Sequence, residues 1–194
     1  FGDRSGNGRD TAQTTASYQP TFHTKPARPF EWAGDCRPFI RLDNDKIQFT
    51  SSYSVTGAGT FFAVAQRFGG HARLFDTYDF VSLGEGPASG TDTAFKVFGL
   101  ATSGAHDTYT KPVMVAGQRN SSNNVTGWLN GGSSVLSATK SNTFVLTSIG
   151  RTAASDTMIF ELIYFDTDLS LDDMNVVREY LSNKYDFLST TAII

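Results

Sequence analysis

Short apolar runs, broken again and again by turn residues, limit this chain to a narrow set of folds. They read FIRLDNDKIQF (39–49), TFFAVAQRF (60–68), HARLFDTYDFVSLG (71–84), TAFKVFGLAT (93–102), KPVMVAGQR (111–119), VTGWLNGGSSVLS (125–137), NTFVLTSIGR (142–151) and TMIFELIYFD (157–166). Polar stretches separate them, the clearest being GEGPASGTD (84–92) and RNSSNN (119–124). Apolar runs this short, bounded by glycine and asparagine, predict strands. Two stretches predict hairpins. One is 39–49, around Asp43-Asn44-Asp45. The other is 125–137, around Asn130-Gly131, a pair that supplies the left-handed backbone of a tight turn. Ahead of them, residues 1–38 carry Pro20, Pro26, Pro29 and Pro38 and read as extended loop with short strand pieces.

One helix pattern interrupts this rhythm. In SLDDMNVVREYLSNKY, Ser170 is followed three residues later by Asp173, a capping-box spacing. Met174, Val177 and Leu181 form an apolar stripe, which Val176 and Tyr180 widen. Asp172 and Asp173 suit the positive start of a helix and Lys184 its negative end. The spacing predicts a helix over 171–184 that packs flat against a sheet edge or seals one end of a sandwich. Many short strands and one late helix make the fold class all-β, a two-sheet antiparallel sandwich.

Composition excludes several functions. The 194 residues suffice for one domain with a sizeable core, and 16 phenylalanines supply its material. No period of repeat length and no later linker divides the chain, so one domain over 1–194 is expected. Net charge is −3 and no basic run occurs, so the electrostatic footprint of a nucleic-acid binder is missing. No apolar run reaches the length of a membrane span. Cys36 is the single cysteine, so no internal disulfide staples the fold and no zinc-ligand spacing exists.

Several stretches together resemble a known family. DRSGNGRDTAQTTASYQPTF (3–22), RPFIRLDNDKIQF (37–49), VTGWLNGG (125–132) and the closing SIGR followed by FELIYFDTDLSLDDMNVVREYLSNKYDF are similar, in this order, to laminin-G-like, concanavalin A-like jelly rolls of bacterial and phage proteins. The resemblance implies an antiparallel jelly roll of roughly a dozen strands. It also implies a first strand ahead of Phe1. Where the family has glycine after the first aspartate of the 39–49 segment, this chain has Asn44, which tolerates a left-handed turn. Relatives of that fold include lectins, glucanases and adhesion modules, so the fold alone does not choose among them.

The residues narrow the choice. Glucanases of this type set carboxylates at alternate positions of one strand, so that they share a face. Glu161 and Asp166 are five apart and Asp76 and Asp79 three apart, so each pair is split between faces. Nucleophile-elbow, zinc-protease and phosphate-loop motifs are absent. His23, His71 and His106 are far apart and read as surface or packing residues. Asn120 and Asn124 head glycosylation sequons, which arise readily in a chain rich in Ser, Thr and Asn.

Two binding readings are left. In FGDRSGNGRD, Asp3, Ser5 and Asn7 alternate before Gly8 like the start of a calcium loop. The twelfth position, which should be a bidentate acid, is Thr14, and Asp10 comes too early to replace it. A turn held by side-chain-to-backbone bonds is therefore expected over 3–10, with calcium as the alternative, completed by a loop carrying Asp76 or Asp79. Sugar binding on a jelly roll pairs an aromatic platform with polar hydrogen bonders. Trp32, Tyr53, Tyr78 and Tyr109 are the candidate platforms in loops, with Asp76 and Asp79 as partners, while Trp128 reads as a core residue. The expected function is a non-catalytic, lectin-like recognition or adhesion module. It would bind a glycan or a protein partner outside the cytoplasm, at a cell or virion surface and within a larger assembly. The alternative is a structural virion component that uses the jelly roll for protein–protein contact. A glycoside hydrolase ranks behind both. No cofactor is expected beyond the calcium alternative.

Overall fold

The computed structural model describes residues 11–12, 14–23, 38–77, 80–83, 95–101, 112–132, 135–151, 155–185, 188 and 192–194. The strands in chain order are β1 (Thr11–Ala12), β2 (Thr21–His23), β3 (Phe39–Leu42), β4 (Lys46–Val55), β5 (Gly59–Arg73), β6 (Val81–Leu83), β7 (Phe95–Val97), β8 (Leu100–Ala101), β9 (Val113–Arg119), β10 (Asn124–Leu129), β11 (Leu136–Thr139), β12 (Phe144–Gly150) and β13 (Ser155–Phe165). The helix α1 is Leu171–Lys184. The strands form two antiparallel sheets. The small sheet is ordered β1-β4-β12 and the large one β11-β10-β9-β5-β13-β3-β2, with β6, β7 and β8 continuing from the far half of β5. The all-β, two-sheet antiparallel sandwich expected from the sequence is the fold.

β5 explains the architecture. Its run TFFAVA does not alternate, because both of its faces are covered. Phe61, Ala63 and Ala65 face the small sheet and join Val55, Phe80, Phe98, Phe144 and Leu146 in the inner core. Phe80 sits at the centre of that core, with ring centroids of Phe98, Phe75 and Phe144 at 5.2, 5.3 and 5.3 Å. Phe62 and Val64 face the other way and pack with Met114, Trp128, Met174, Leu181 and Tyr185 in an outer core under the helix.

The helix starts as its spacing predicts. The Ser170 hydroxyl accepts from the Asp173 amide at 3.1 Å. Met174 and Leu181 are fully buried and Val177 is partly buried. Val176 and Tyr180 are exposed, so they do not widen the buried stripe. Nor does the helix lie at a sheet edge or close an end of the sandwich. It covers the outer face of the large sheet, because β5, β9 and β10 present apolar side chains there.

Three other expectations change. The 39–49 stretch is not a hairpin: β3 pairs with β2 and β13, whereas β4 pairs with β1 and β12. Asp43–Asp45 is thus a corner that carries the chain from one sheet to the other. Asn44 takes the left-handed conformation there, with φ 59°, and the Asp43 amide donates to the Asp45 carboxylate at 3.3 Å. The 71–84 stretch is not one strand but the end of β5 folded back on β6, with Ala72 opposite Leu83. The 93–102 stretch is likewise two strands, β7 and β8, turned at Phe98-Gly99 with φ of 46° and 78°. Phe98 accepts an unusual backbone because its ring is fully buried and its amide donates to the Phe80 carbonyl at 2.7 Å. The 125–137 hairpin does form, with Gly127 opposite Leu136. Its connection is longer than the two residues of a tight Asn-Gly turn, although Asn130 and Gly131 do have positive φ of 55° and 78°.

Candidate functional site

Tyr53 and Asp76 are the two sugar-site candidates among the described residues; Trp32, Tyr78, Asp79 and Tyr109 lie outside them. So do Asp3, Ser5, Asn7 and Asp10 of the calcium alternative, together with Cys36 and His106. His23 and His71 lie on β2 and β5.

Tyr53 is on strand β4 rather than in a loop. Strand alternation puts Ile47, Phe49, Ser51, Tyr53 and Val55 on the face toward the large sheet. Ile47 and Val55 are buried at the two ends, Phe49 and Tyr53 are half-buried, and Ser51 between them is exposed. The core is therefore uncovered in the middle of this strand. Across from it, Leu162 and Tyr164 of β13 are also only half-buried. The Tyr53 and Tyr164 rings meet edge to face, with centroids 5.6 Å apart at 71°. Burial, then the Tyr53 hydroxyl that is hydrogen-bonded to it, hold the Tyr164 phenol well above its ordinary value. The Tyr164 phenol is thus neutral at any physiological pH. Phe49, Ser51, Tyr53 and Tyr164 form a part-exposed patch that combines aromatic edges with hydroxyls, a chemistry suited to the two faces of a pyranose. Tyr164 is missed from the sequence, because nothing local shows that β13 runs opposite β4.

Asp76 lies on the far side of β12. Its carboxylate accepts from the Thr147 amide at 3.1 Å and from the Thr147 hydroxyl, where β12 is bulged between Leu146 and Ser148. Leu146, one residue earlier, pairs with Tyr53. So β12 separates Asp76 from Tyr53, and the structure does not join the two on one surface.

The carboxylates weighed for catalysis are also separated. Glu161 faces α1, bonded to Lys184 Nζ at 2.6 Å and within 2.7 Å of the Tyr185 hydroxyl. Asp166 is exposed, just past the end of β13. Trp128 is buried under the helix, as expected for a core residue. Asn120 closes the β9–β10 turn, its side-chain oxygen accepting from the amides of Ser122 and Asn124 at 3.0 Å each. Among the described residues, no three His, Cys, Asp or Glu side chains are gathered as a metal-binding group. No helix is long and apolar enough to cross a membrane.

Comparison with known proteins agrees with the sandwich. No family model and no curated protein matches the sequence. Among solved structures, the binding domain of Paraclostridial Mosquitocidal Protein 1 is similar over 94% of this chain, with a TM-score of 0.59 and 13% identity. A botulinum neurotoxin type C structure, described with the dependence of cell entry on two ganglioside molecules, matches 88% of the chain at 13% identity and a TM-score of 0.42. An alginate lyase, AlgAT5 of Polysaccharide Lyase family 7, matches 66% at 14% identity and a TM-score of 0.35. The chain spans about half the length of the two toxin structures, 50% of each. At 13% identity, the likeness to the mosquitocidal protein's binding domain is one of fold alone, that of a β-sandwich.

Proposed function

We propose that this chain is a non-catalytic, lectin-like recognition module of the laminin-G-like, concanavalin A-like kind, which binds a glycan outside the cytoplasm. The observation that carries this reading is the Tyr53–Tyr164 pair beside Ser51, where the inner face of the sandwich is left part-exposed. An aromatic edge with hydroxyl donors suits a sugar ring better than it suits an ion or a reacting carbonyl. The fold shared with a toxin binding domain supports a binding role over a catalytic one. So does the engagement of Glu161 by the helix. In this reading Trp32, Tyr78, Asp79 and Tyr109 stay candidate sugar contacts from the sequence and Asp3, Ser5 and Asn7 the calcium candidates, while Asp76, across β12 from Tyr53, is not part of this patch.

A glycan array that includes sialylated, ganglioside-type and neutral oligosaccharides, probed with and without calcium, tests the proposal. Selective, saturable binding is expected, weakened by Tyr53→Ala in a variant that still unfolds cooperatively, although at a lower temperature because the ring packs on Tyr164. A flat array would overturn the lectin reading. A flat array combined with a symmetric oligomer would transfer the role to the structural virion component.

A further inference from the structure

The last three residues of the chain are held as a strand in a groove of their own. On one edge, the Gly132 amide donates to the Ala192 carbonyl at 2.7 Å, and the Ile194 amide donates to the Gly132 carbonyl at 3.0 Å. This is a parallel bridge between Gly132 and Ile193. On the other edge stands a side chain, Asn175 of α1. Its Oδ1 accepts from the Ile193 amide at 2.8 Å and its Nδ2 donates to the Ile193 carbonyl at 3.1 Å. The Trp128 indole N–H donates to the Ile194 carbonyl at 3.2 Å.

An asparagine side chain carries the same amide group as the peptide backbone. Here it does what a neighbouring strand would do, bonding both the donor and the acceptor of one residue. From the Ala192 carbonyl to the Ile194 carbonyl, every backbone polar group has a partner. The side chains alternate as in a strand. Ile193 points in, 1% exposed, within the outer core of Met174, Trp128 and Leu181, while Ile194 points out, 71% exposed. Asn175 is held for this task, since its Nδ2 also donates to the Leu171 carbonyl one turn earlier at 3.0 Å. Main-chain bonds on both edges and one pocket for an alternate side chain are the features by which proteins add an extended peptide to a sheet.

We infer that the groove between α1 and the β10–β11 connection is a peptide-acceptor site, specific for an extended segment with an aliphatic residue at its centre. The chain's own residues 192–194 fill it in cis as a displaceable latch. Recognition is by backbone and by one apolar pocket. A peptide of the same Ala-Ile-Ile chemistry presented in trans therefore meets the same donors and acceptors once the latch is removed. The inference stands apart from the glycan reading, because the groove is on the outer face under the helix and the Tyr53 patch is on the inner one.

The test removes residues 189–194 and titrates the shortened chain with a fluorescent Thr-Thr-Ala-Ile-Ile peptide, following polarisation. Saturable binding is expected in the shortened chain and little in the full one. Asn175→Ala in the shortened chain should weaken binding about tenfold, through the loss of two hydrogen bonds. A peptide with aspartate in place of the first isoleucine, the equivalent of Ile193, should not bind. A folded shortened chain, shown by near-UV circular dichroism, that ignores the peptide would overturn the proposal. If the shortened chain does not fold, the full chain decides. Asn175→Ala should then speed hydrogen exchange at the Ile193 amide several-fold without loss of fold. An unchanged exchange rate would count against the latch.

Discussion

Lys184 donates to the Glu161 carboxylate at 2.6 Å, and this contact fastens the last turn of α1 to the outer face of β13. The Tyr185 hydroxyl lies 2.7 Å from the same oxygen, and the Tyr180 hydroxyl 3.4 Å from the other. Glu161 is therefore an anchor for the helix. Its side chain is 19% exposed and that of Lys184 37%, so water screens much of the attraction. Glu161→Gln should cost only about 1 kcal/mol in urea denaturation. Hydrolysis of β-glucans and aryl glycosides should be absent in parent and variant alike. Measurable turnover in the parent that disappears in the variant would show that this carboxylate does chemistry.

What the sequence revealed was local. The capping pair Ser170 and Asp173 marked the helix start, and the nearly unbroken apolar run at 60–68 marked a strand. What it hid depends on partners distant in the chain. Nothing within FIRLDNDKIQF tells whether β3 and β4 pair with each other or with β13 and β12. Either outcome needs the same left-handed Asn44. The Phe98-Gly99 turn was invisible because a buried phenylalanine is poor turn chemistry, tolerated only where Phe80 and the inner core receive it. The Tyr53–Tyr164 patch was half legible. Tyr53 stood out as an aromatic, but its partner is 111 positions away by the numbering and on the opposite sheet.

Arg119 should be among the most sensitive positions of the fold. It is fully buried, and its guanidinium donates to the carbonyls of Gly57, Asn142 and Val55 at 2.7, 2.6 and 3.3 Å. The Phe98 and Phe144 rings lie 5.3 and 5.8 Å from its centre. Desolvation lowers its pKa, yet the group still carries its charge at neutral pH. It pins two connections, before β5 and before β12, that nothing shorter could reach together. Arg119→Met would leave three carbonyls without this donor and should cost roughly 3 kcal/mol or more. Arg119→Lys should recover only part of that, since an ammonium lacks the planar fork. A denaturation midpoint close to that of the parent for Arg119→Met would contradict the account.

Two glycines should differ sharply in how they bear the same methyl group. Gly150 has a φ of +74°, and a Cβ there would sit 2.6 Å from the Asp45 carbonyl oxygen and 2.8 Å from Leu42 Cδ1. It closes against the corner where the chain changes sheets, so the neighbour in the way is backbone. A Cβ on Gly57 would meet nothing within 4 Å. Gly150→Ala should destabilise by about 2 kcal/mol or more, and Gly57→Ala should stay within about 0.5 kcal/mol. Thermal melts of the two variants side by side check the contrast. Equal shifts would show that the corner yields more easily than its packing implies.

Alkaline pH should loosen the sandwich from the Tyr53 side. The Tyr164 phenol is held above its ordinary value of 10.0, first by burial and then by Tyr53. A group whose folded pKa is raised gives its full contribution below the unfolded pKa. It loses that contribution as pH rises from there toward the folded value. Between those limits the unfolded chain releases the phenolic proton and the folded chain does not, so unfolding gains ground. Lys184 has the same sign. Burial alone would lower its pKa, but the hydrogen bonds to Glu161 and Tyr180 and their charges raise it above 10.5, so its contribution also fades in the alkaline range. Stability should therefore be flat with respect to these two groups through neutral pH and fall once pH passes about 10. Tyr164→Phe removes the titrating hydroxyl while keeping the ring against Tyr53. That variant should lose less stability between pH 9 and 11 than the parent does, in urea midpoints measured across the range. An identical alkaline slope in parent and variant would mean that Tyr164 ionises as readily in the folded chain as in the unfolded one, and that the patch is wetter than its packing indicates.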